Sequence, residues 1–137
     1  MKPGYTPGVG NLSDVMRNDP IEVAPEDTLG EVAERMSGAN VGAVIVKDFG
    51  RLIGILTERD MLKAMAARVH TSEARVRQWM TDDPITVPVD TGLEEAARIM
   101  LENGFRHLPV VDELGQVVGI ASLRRVAGAT QAAGKPA

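Results

Sequence analysis

Cysteine is absent from the 137 residues, which excludes a disulfide framework, a thiolate zinc site and a cysteine nucleophile together. Histidine is scarce, with only His70 and His107 left as strong transition-metal ligands. The aromatic residues are Tyr5, Phe49, Trp79 and Phe105, and the net charge is −4, so the basic field and stacking platforms that nucleic acids require are missing. No run approaches the roughly 18 apolar residues of a membrane span, and the opening stretch MKPGYTPGVGN has no apolar signal core. The expectation is a cytoplasmic protein that binds neither nucleic acid nor membrane. A chain of 137 residues has the size of one ordinary domain and can bury about two thirds of its unfolded surface unaided.

What the chain does contain, it contains twice. LSDVMRNDPIEVAPEDTLGEVAERM, from Leu12, returns as VRQWMTDDPITVPVDTGLEEAARIM, from Val76; Met16 falls on Met80, Asp19-Pro20 on Asp83-Pro84 and Met36 on Met100, an offset of 64. After one inserted residue, GRLIGILTERDML from Gly50 falls on GQVVGIASLRRVA from Gly115 at an offset of 65. An internal repeat of this length determines the architecture. Each copy reads as a short helix, a strand, a helix, two strands and a last helix. Leu29, Val32, Ala33 and Met36 form one apolar helical stripe, and Leu93, Ala96, Ala97 and Met100 repeat it. Thr28 with Glu31, and Thr91 with Glu94, have the spacing of capping boxes. GAVIVKD and HLPVVDE are short β-branched runs, each followed by a glycine turn and a second apolar run.

The fold expected is α/β of the α+β kind, with two pseudo-symmetric β-α-β-β-α repeats packed sheet to sheet. The repeats span 12–67 and 76–129, a linker occupies 68–75, and Gly-, Pro- and Ala-rich flexible tails occupy 1–11 and 130–137. Such packing leaves two equivalent clefts, each lined by both copies.

The DPI before a strand, the capped helix ending in Met, FRHLPVVD and GILTERD occur together and in order, and most of them occur twice. In this the chain, from about residue 12 to 128, resembles a tandem pair of CBS (cystathionine-β-synthase) domains. The resemblance implies a disc-like module, commonly a homodimer. Such a module binds AMP, ADP, ATP, S-adenosylmethionine or another adenosine compound in an inter-repeat cleft. It implies a regulatory ligand rather than a catalytic cofactor, and an unknown effector protein as partner.

In the family motif G-h-x-[ST]-x-x-D the carboxylate accepts from the ribose hydroxyls and the hydroxyl reaches phosphate; the resemblance places these roles on Asp60 and Thr57. The chemistry is sound, because an ionised carboxylate only accepts and matches a vicinal diol. Spacing alone leaves another reading open, since Thr57-x-x-Asp60 is also a capping box that needs no ligand. The second copy separates the two readings: Ser122 is followed by Arg125, which cannot accept a hydrogen bond, although a helix is expected to start there equally well.

The resemblance further implies that Arg106 and His107, just before the LPV strand, donate to phosphate, a role that Gly42 and Ala43 in the first copy cannot fill with side chains. Ile21, Val23 and Ile55, with the Val41 and Gly42 backbone, are expected to line the base slot, although each apolar residue is equally a core residue. Arg59 is placed either to neutralise further phosphate or to face solvent. One cleft therefore has every polar group an adenylate needs, and the other lacks its ribose acceptor. No nucleophile with a base, carboxylate pair or metal cluster is recognisable, so the reading is a sensor and not an enzyme. The alternative is a ligand-independent interaction module with vestigial clefts, against which the intact Thr57, Asp60, Arg106 and His107 count.

Overall fold

The computed structural model describes residues 10–134; residues 1–9 and 135–137, most of the expected tails, lie outside the described residues. In chain order the elements are α1 (Leu12–Val15), β1 (Arg17–Asn18), β2 (Glu22–Val23), α2 (Leu29–Ala39), β3 (Ala43–Asp48), β4 (Arg51–Thr57) and α3 (Glu58–Ala66). They are followed by α4 (Val76–Trp79), β5 (Thr81–Asp82), β6 (Val87–Pro88), α5 (Leu93–Asn103), β7 (His107–Val111), β8 (Val117–Ser122) and α6 (Leu123–Gly134). The fold is mixed α+β, with two four-stranded sheets ordered β2-β3-β4-β5 and β1-β8-β7-β6. Within each sheet one parallel pair, β2–β3 or β6–β7, is extended by antiparallel neighbours.

The chain divides into two compact units: one runs from Pro20 to Pro84, and the other joins the described residues up to Asp19 with those from Ile85 onward. The units are out of phase with the sequence repeats by one helix and one short strand. β1, from the start of the first repeat, pairs with β8 of the second through Arg17↔Ile120 and Asn18↔Gly119. β5, from the start of the second repeat, pairs with β4 of the first through Gly54↔Asp82 and Ile55↔Thr81. Each sheet is thus completed by an arm from the other repeat.

In the unit 20–84, the stripe of α2 is Leu29, Val32 and Met36, which meets Val44, Val46 and Leu56 of the sheet and Val76 of α4. Ala33, expected on this stripe, is exposed; a single methyl at the margin of the stripe forfeits little by facing solvent. The Thr28–Glu31 capping box is realised. The linker also caps this helix, because Leu29 N–H donates to Ala74 O at 2.9 Å and Gly30 N–H to Thr71 O at 2.9 Å, satisfying donors a helix start leaves free.

Glu31 makes this helix start pH-sensitive. The Thr28 hydroxyl and then the Thr28 amide donate to its carboxylate, the Arg75 charge adds attraction, and its pKa lies below the ordinary 4.5. A depressed folded pKa means that the stability is present above the unfolded value and is lost as pH falls through the folded one. Glu31→Gln is therefore expected to flatten the decline in stability between about pH 5 and pH 3. Denaturant melts across that window check this, and identical slopes in wild type and variant would contradict it.

In the other unit Leu93, Ala96 and Met100 of α5 pack with Leu12, Val87, Leu108, Val110, Ala121 and Val126. The expected Thr91–Glu94 capping box does not form: the N-cap is Gly92, with no side-chain cap. At the repeat offset of 64 it is Gly92, not Thr91, that corresponds to Thr28. Glu95, at the position of Glu31, instead meets Arg98 Nε at 3.0 Å. α6 continues to Gly134, beyond the composition boundary at residue 130, as its Ala-rich end favours. No described helix is long and apolar enough to cross a membrane.

Candidate functional site

Alternation along β3 and β4 sorts their residues between two sheet faces. Val44, Val46 and Leu56 enter the core under the helices, while Ala43, Ile45 and Ile55 lie on the opposite face. All three of the latter are buried, at 6%, 0% and 5% exposure. Register places Ile45 opposite Ile55 and Ala43 opposite Thr57, so Thr57 stands at the end of an apolar platform. Of these, Ile45 and Ala43 were missed in sequence reasoning; the period-two pattern of GAVIVKD carries the signal that would have found them.

β4 passes directly into α3, making Thr57 both the last strand residue and the N-cap. Glu58 N–H donates to Gly42 O at 3.0 Å, fixing the helix start against the approach to β3. The capping box is reciprocal: Asp60 N–H donates to Thr57 Oγ1 at 3.4 Å, and Thr57 N–H donates to Asp60 Oδ2 at 2.9 Å. The Thr57 hydroxyl also donates to Asp60 Oδ2, at 3.1 Å. Asp60 is 7% exposed and is the buried charged side chain among the described residues. The capping reading of these residues is therefore realised in the structure.

The other unit shows what capping alone requires. Arg125 N–H donates to Ser122 Oγ at 3.2 Å, and Leu123 N–H donates to Arg106 O at 2.8 Å, repeating the backbone plan around Glu58 and Gly42. The hydroxyl therefore starts α6 without any carboxylate three residues on. A helix at this corner can therefore begin without the carboxylate that Asp60 adds.

Arg106 is exposed, and His107, half-buried, pairs with Ser122 at the start of β7. Thr57, Asp60, Ile55 and Gly42 are brought together at the corresponding end of β3 and β4 in the unit 20–84. Val23 is a core residue at 4% exposure; Ile21 and Val41 pack against that core, and Ile21 O accepts from Ile45 N–H at 3.0 Å. Arg59 lies exposed on the first turn of α3.

Residues 12–67 and 76–131 each match the CBS domain family. An uncharacterised 17.7 kDa protein of Acidianus ambivalens is 41% identical over 121 residues, covering 84% of this chain and 73% of that protein. An uncharacterised protein of Methanopyrus kandleri is 34% identical over 118 residues, covering 85% of this chain but only 60% of that protein. Among solved structures, a CBS-domain protein of Agrobacterium tumefaciens superposes with a TM-score of 0.81 at 31% identity, over 91% of this chain and 97% of that one. The CBS-domain pair of protein MJ0100, in complex with 5′-methylthioadenosine and S-adenosyl-L-methionine, gives 0.77 at 26% identity, over 88% and 94%. CBSX2 in complex with AMP gives 0.71 at 28% identity, over 89% and 96%. The two matched segments, the two four-stranded sheets and the duplicated strand-to-helix corners lead to one statement of kinship: this chain belongs to the CBS-domain family, as a tandem pair.

Proposed function

We propose that this CBS-domain pair is a regulatory module that binds AMP, ADP or ATP and passes the occupancy on to a separate effector protein. The observation that carries the reading is Asp60: a buried carboxylate, at the end of an apolar platform, at a helix start whose counterpart is capped without one. A carboxylate there suits the two ribose hydroxyls, and Ile55, with the Gly42 backbone at the same end of the strands, suits the purine, whereas Val23, Ile21 and Val41, expected in the base slot, belong to or pack against the core under the helices. Arg106 and His107 of the second repeat, with Arg59, are the donors proposed for phosphate. Support comes from two similar structures, one holding 5′-methylthioadenosine and S-adenosylmethionine and one holding AMP. The three compounds share the adenosine that Asp60 and the platform would read. The module is further proposed to pair as a homodimer through helical faces, where Leu62 and Met65 of α3 and Leu101 of α5 are exposed.

A thermal-shift panel of adenosine compounds, followed by calorimetric titration and light scattering on the same samples, tests both parts. The expected result is a rise in melting temperature with adenine nucleotides but not with guanosine or cytidine ones, in a dimer. If no adenosine compound bound, the ligand-independent interaction module would replace this reading. A lone 14.6 kDa species would remove the homodimer.

A further inference from the structure

We propose that Asn103–Gly104, at the end of α5, is a site of intramolecular modification, in which the Gly104 amide attacks the Asn103 side chain once the last turn of the helix opens. The chain holds four asparagines, Asn11, Asn18, Asn40 and Asn103, and Asn103 alone is followed by glycine. With no Cβ on that glycine, nothing shields its nitrogen from the preceding side chain. The Gly104 nitrogen forms a bond to Asn103 Cγ as the Cγ–Nδ2 bond breaks, and the Gly104 amide hydrogen leaves with Nδ2 as ammonia. The cyclic imide that results is opened by one water, at either carbonyl, to aspartate or isoaspartate. The balance is asparagine plus water to acid plus ammonia, with nothing oxidised or reduced.

The folded helix keeps the two reacting groups apart. Asn103 is exposed, and its Nδ2 donates to Ile99 O at 2.7 Å, which lays the side-chain amide back along the helix while Gly104 lies ahead of it. Gly104 N–H donates to Met100 O, and so does Phe105 N–H, at 3.1 Å. Gly104 has the left-handed φ, 73°, that such a helix end favours. Phe105 packs against the core that holds Met100, Leu108 and Val110, and so anchors the turn. Attack therefore requires the bonds from Asn103 to Ile99 and from Gly104 to Met100 to open together. The end of α2 has the same plan, with Asn40 N–H and Val41 N–H both reaching Met36 O, but there the branched side chain of Val41 crowds the nitrogen. Conversion at Asn103 places a carboxylate at the negative end of α5, next to Glu102, and the isoaspartate form lengthens the main chain shortly before Arg106 and His107.

The test is peptide-mapping mass spectrometry of the full chain during incubation in mildly alkaline buffer, folded and in urea. Conversion is expected at Asn103 ahead of Asn11, Asn18 and Asn40, and about 10- to 100-fold more slowly in the folded protein than in urea. Amide hydrogen exchange at Gly104 is expected to be slowed by the same factor, because one opening releases both. Phe105→Leu, which trims the anchor, is expected to hasten conversion in a protein that circular dichroism shows to be folded. Equal rates in the folded and unfolded chain would mean that the last turn governs nothing, and earlier conversion of another asparagine would misplace the site; either result overturns the proposal. Conversion slowed far beyond the exchange of Gly104 would overturn it as well, since some other step would then be limiting. An unchanged rate in folded Phe105→Leu would remove the anchor, and if that variant does not fold, the wild-type comparison of conversion with exchange decides alone.

Discussion

Asp60→Ala is expected to weaken adenine-nucleotide binding by about 10- to 100-fold, while Arg125→Ala, at the corresponding place on the other unit, leaves it within about twofold. Two hydrogen bonds from the ribose to a charged acceptor contribute roughly 1.5 to 3 kcal/mol each when intact, and water recovers part of that once the carboxylate is gone. Asp60 has a second task that must be separated from the first. It accepts from the Thr57 amide and hydroxyl at the start of α3, so its removal is expected to lower the stability of the unliganded protein by about 1 kcal/mol whatever it binds. The discriminating quantity is the affinity of the folded protein, read by calorimetric titration well below the melting temperature. A loss of stability with nucleotide affinity intact would make Asp60 a cap and nothing more. Equal affinities in wild type, Asp60→Ala and Arg125→Ala would defeat the assignment of the ribose to the first repeat.

The features legible in the sequence are those set by local pattern. The stripe Leu29, Val32 and Met36 fixes α2, its image Leu93, Ala96 and Met100 fixes α5, and the β-branched runs around Val44 and Val110 fix the central strands. The sheet edges were not legible. β1 and β5 are two residues long, too short for any periodicity, and nothing in Arg17-Asn18 or Thr81-Asp82 shows that each pairs with the other repeat's sheet. That pairing is a tertiary choice, which sets Asn18 opposite Gly119 and Asp82 opposite Gly54. The N-cap of α5 was misplaced because Thr91 and Gly92 both offer a start, and only the register of the repeat, Gly92 over Thr28, decides between them. At the candidate site the spacing Thr57-x-x-Asp60 was legible, as were both of its readings. The direction of the hydroxyl hydrogen and the burial of the carboxylate were not, because they depend on how β4 delivers Thr57 into α3.

Gly54→Ala and Gly119→Ala are each expected to destabilise the fold by about 2 to 3 kcal/mol, as overpacking does, with a fall in melting temperature of roughly 5 to 10 °C. A Cβ on Gly54 would lie 2.7 Å from Met80 Sδ and 2.9 Å from Thr81 O. On Gly119 it would lie 2.6 Å from Met16 Sδ and 2.8 Å from Arg17 O. The thioether can swing away, being the far end of a flexible side chain. The carbonyl cannot, because it belongs to the arm strand whose pairing, Gly54↔Asp82 or Asn18↔Gly119, brings it there. Relief therefore requires β5 or β1 to lift from its sheet, and with it the short helix that buries Val76 or Leu12 at 0% exposure. The same chemical change at Gly38 has the opposite expected sign. That residue lies within α2 with nothing inside 4 Å of an added Cβ, so alanine there gains up to about 1 kcal/mol of helix propensity. Denaturant melts of the three single variants, read against wild type, decide the matter. If Gly54→Ala and Gly119→Ala unfolded with the wild-type midpoint, the close approach of the arms would carry no weight in stability, and the exchange of arms would have to be held by the apolar contacts of Leu12 and Val76 alone.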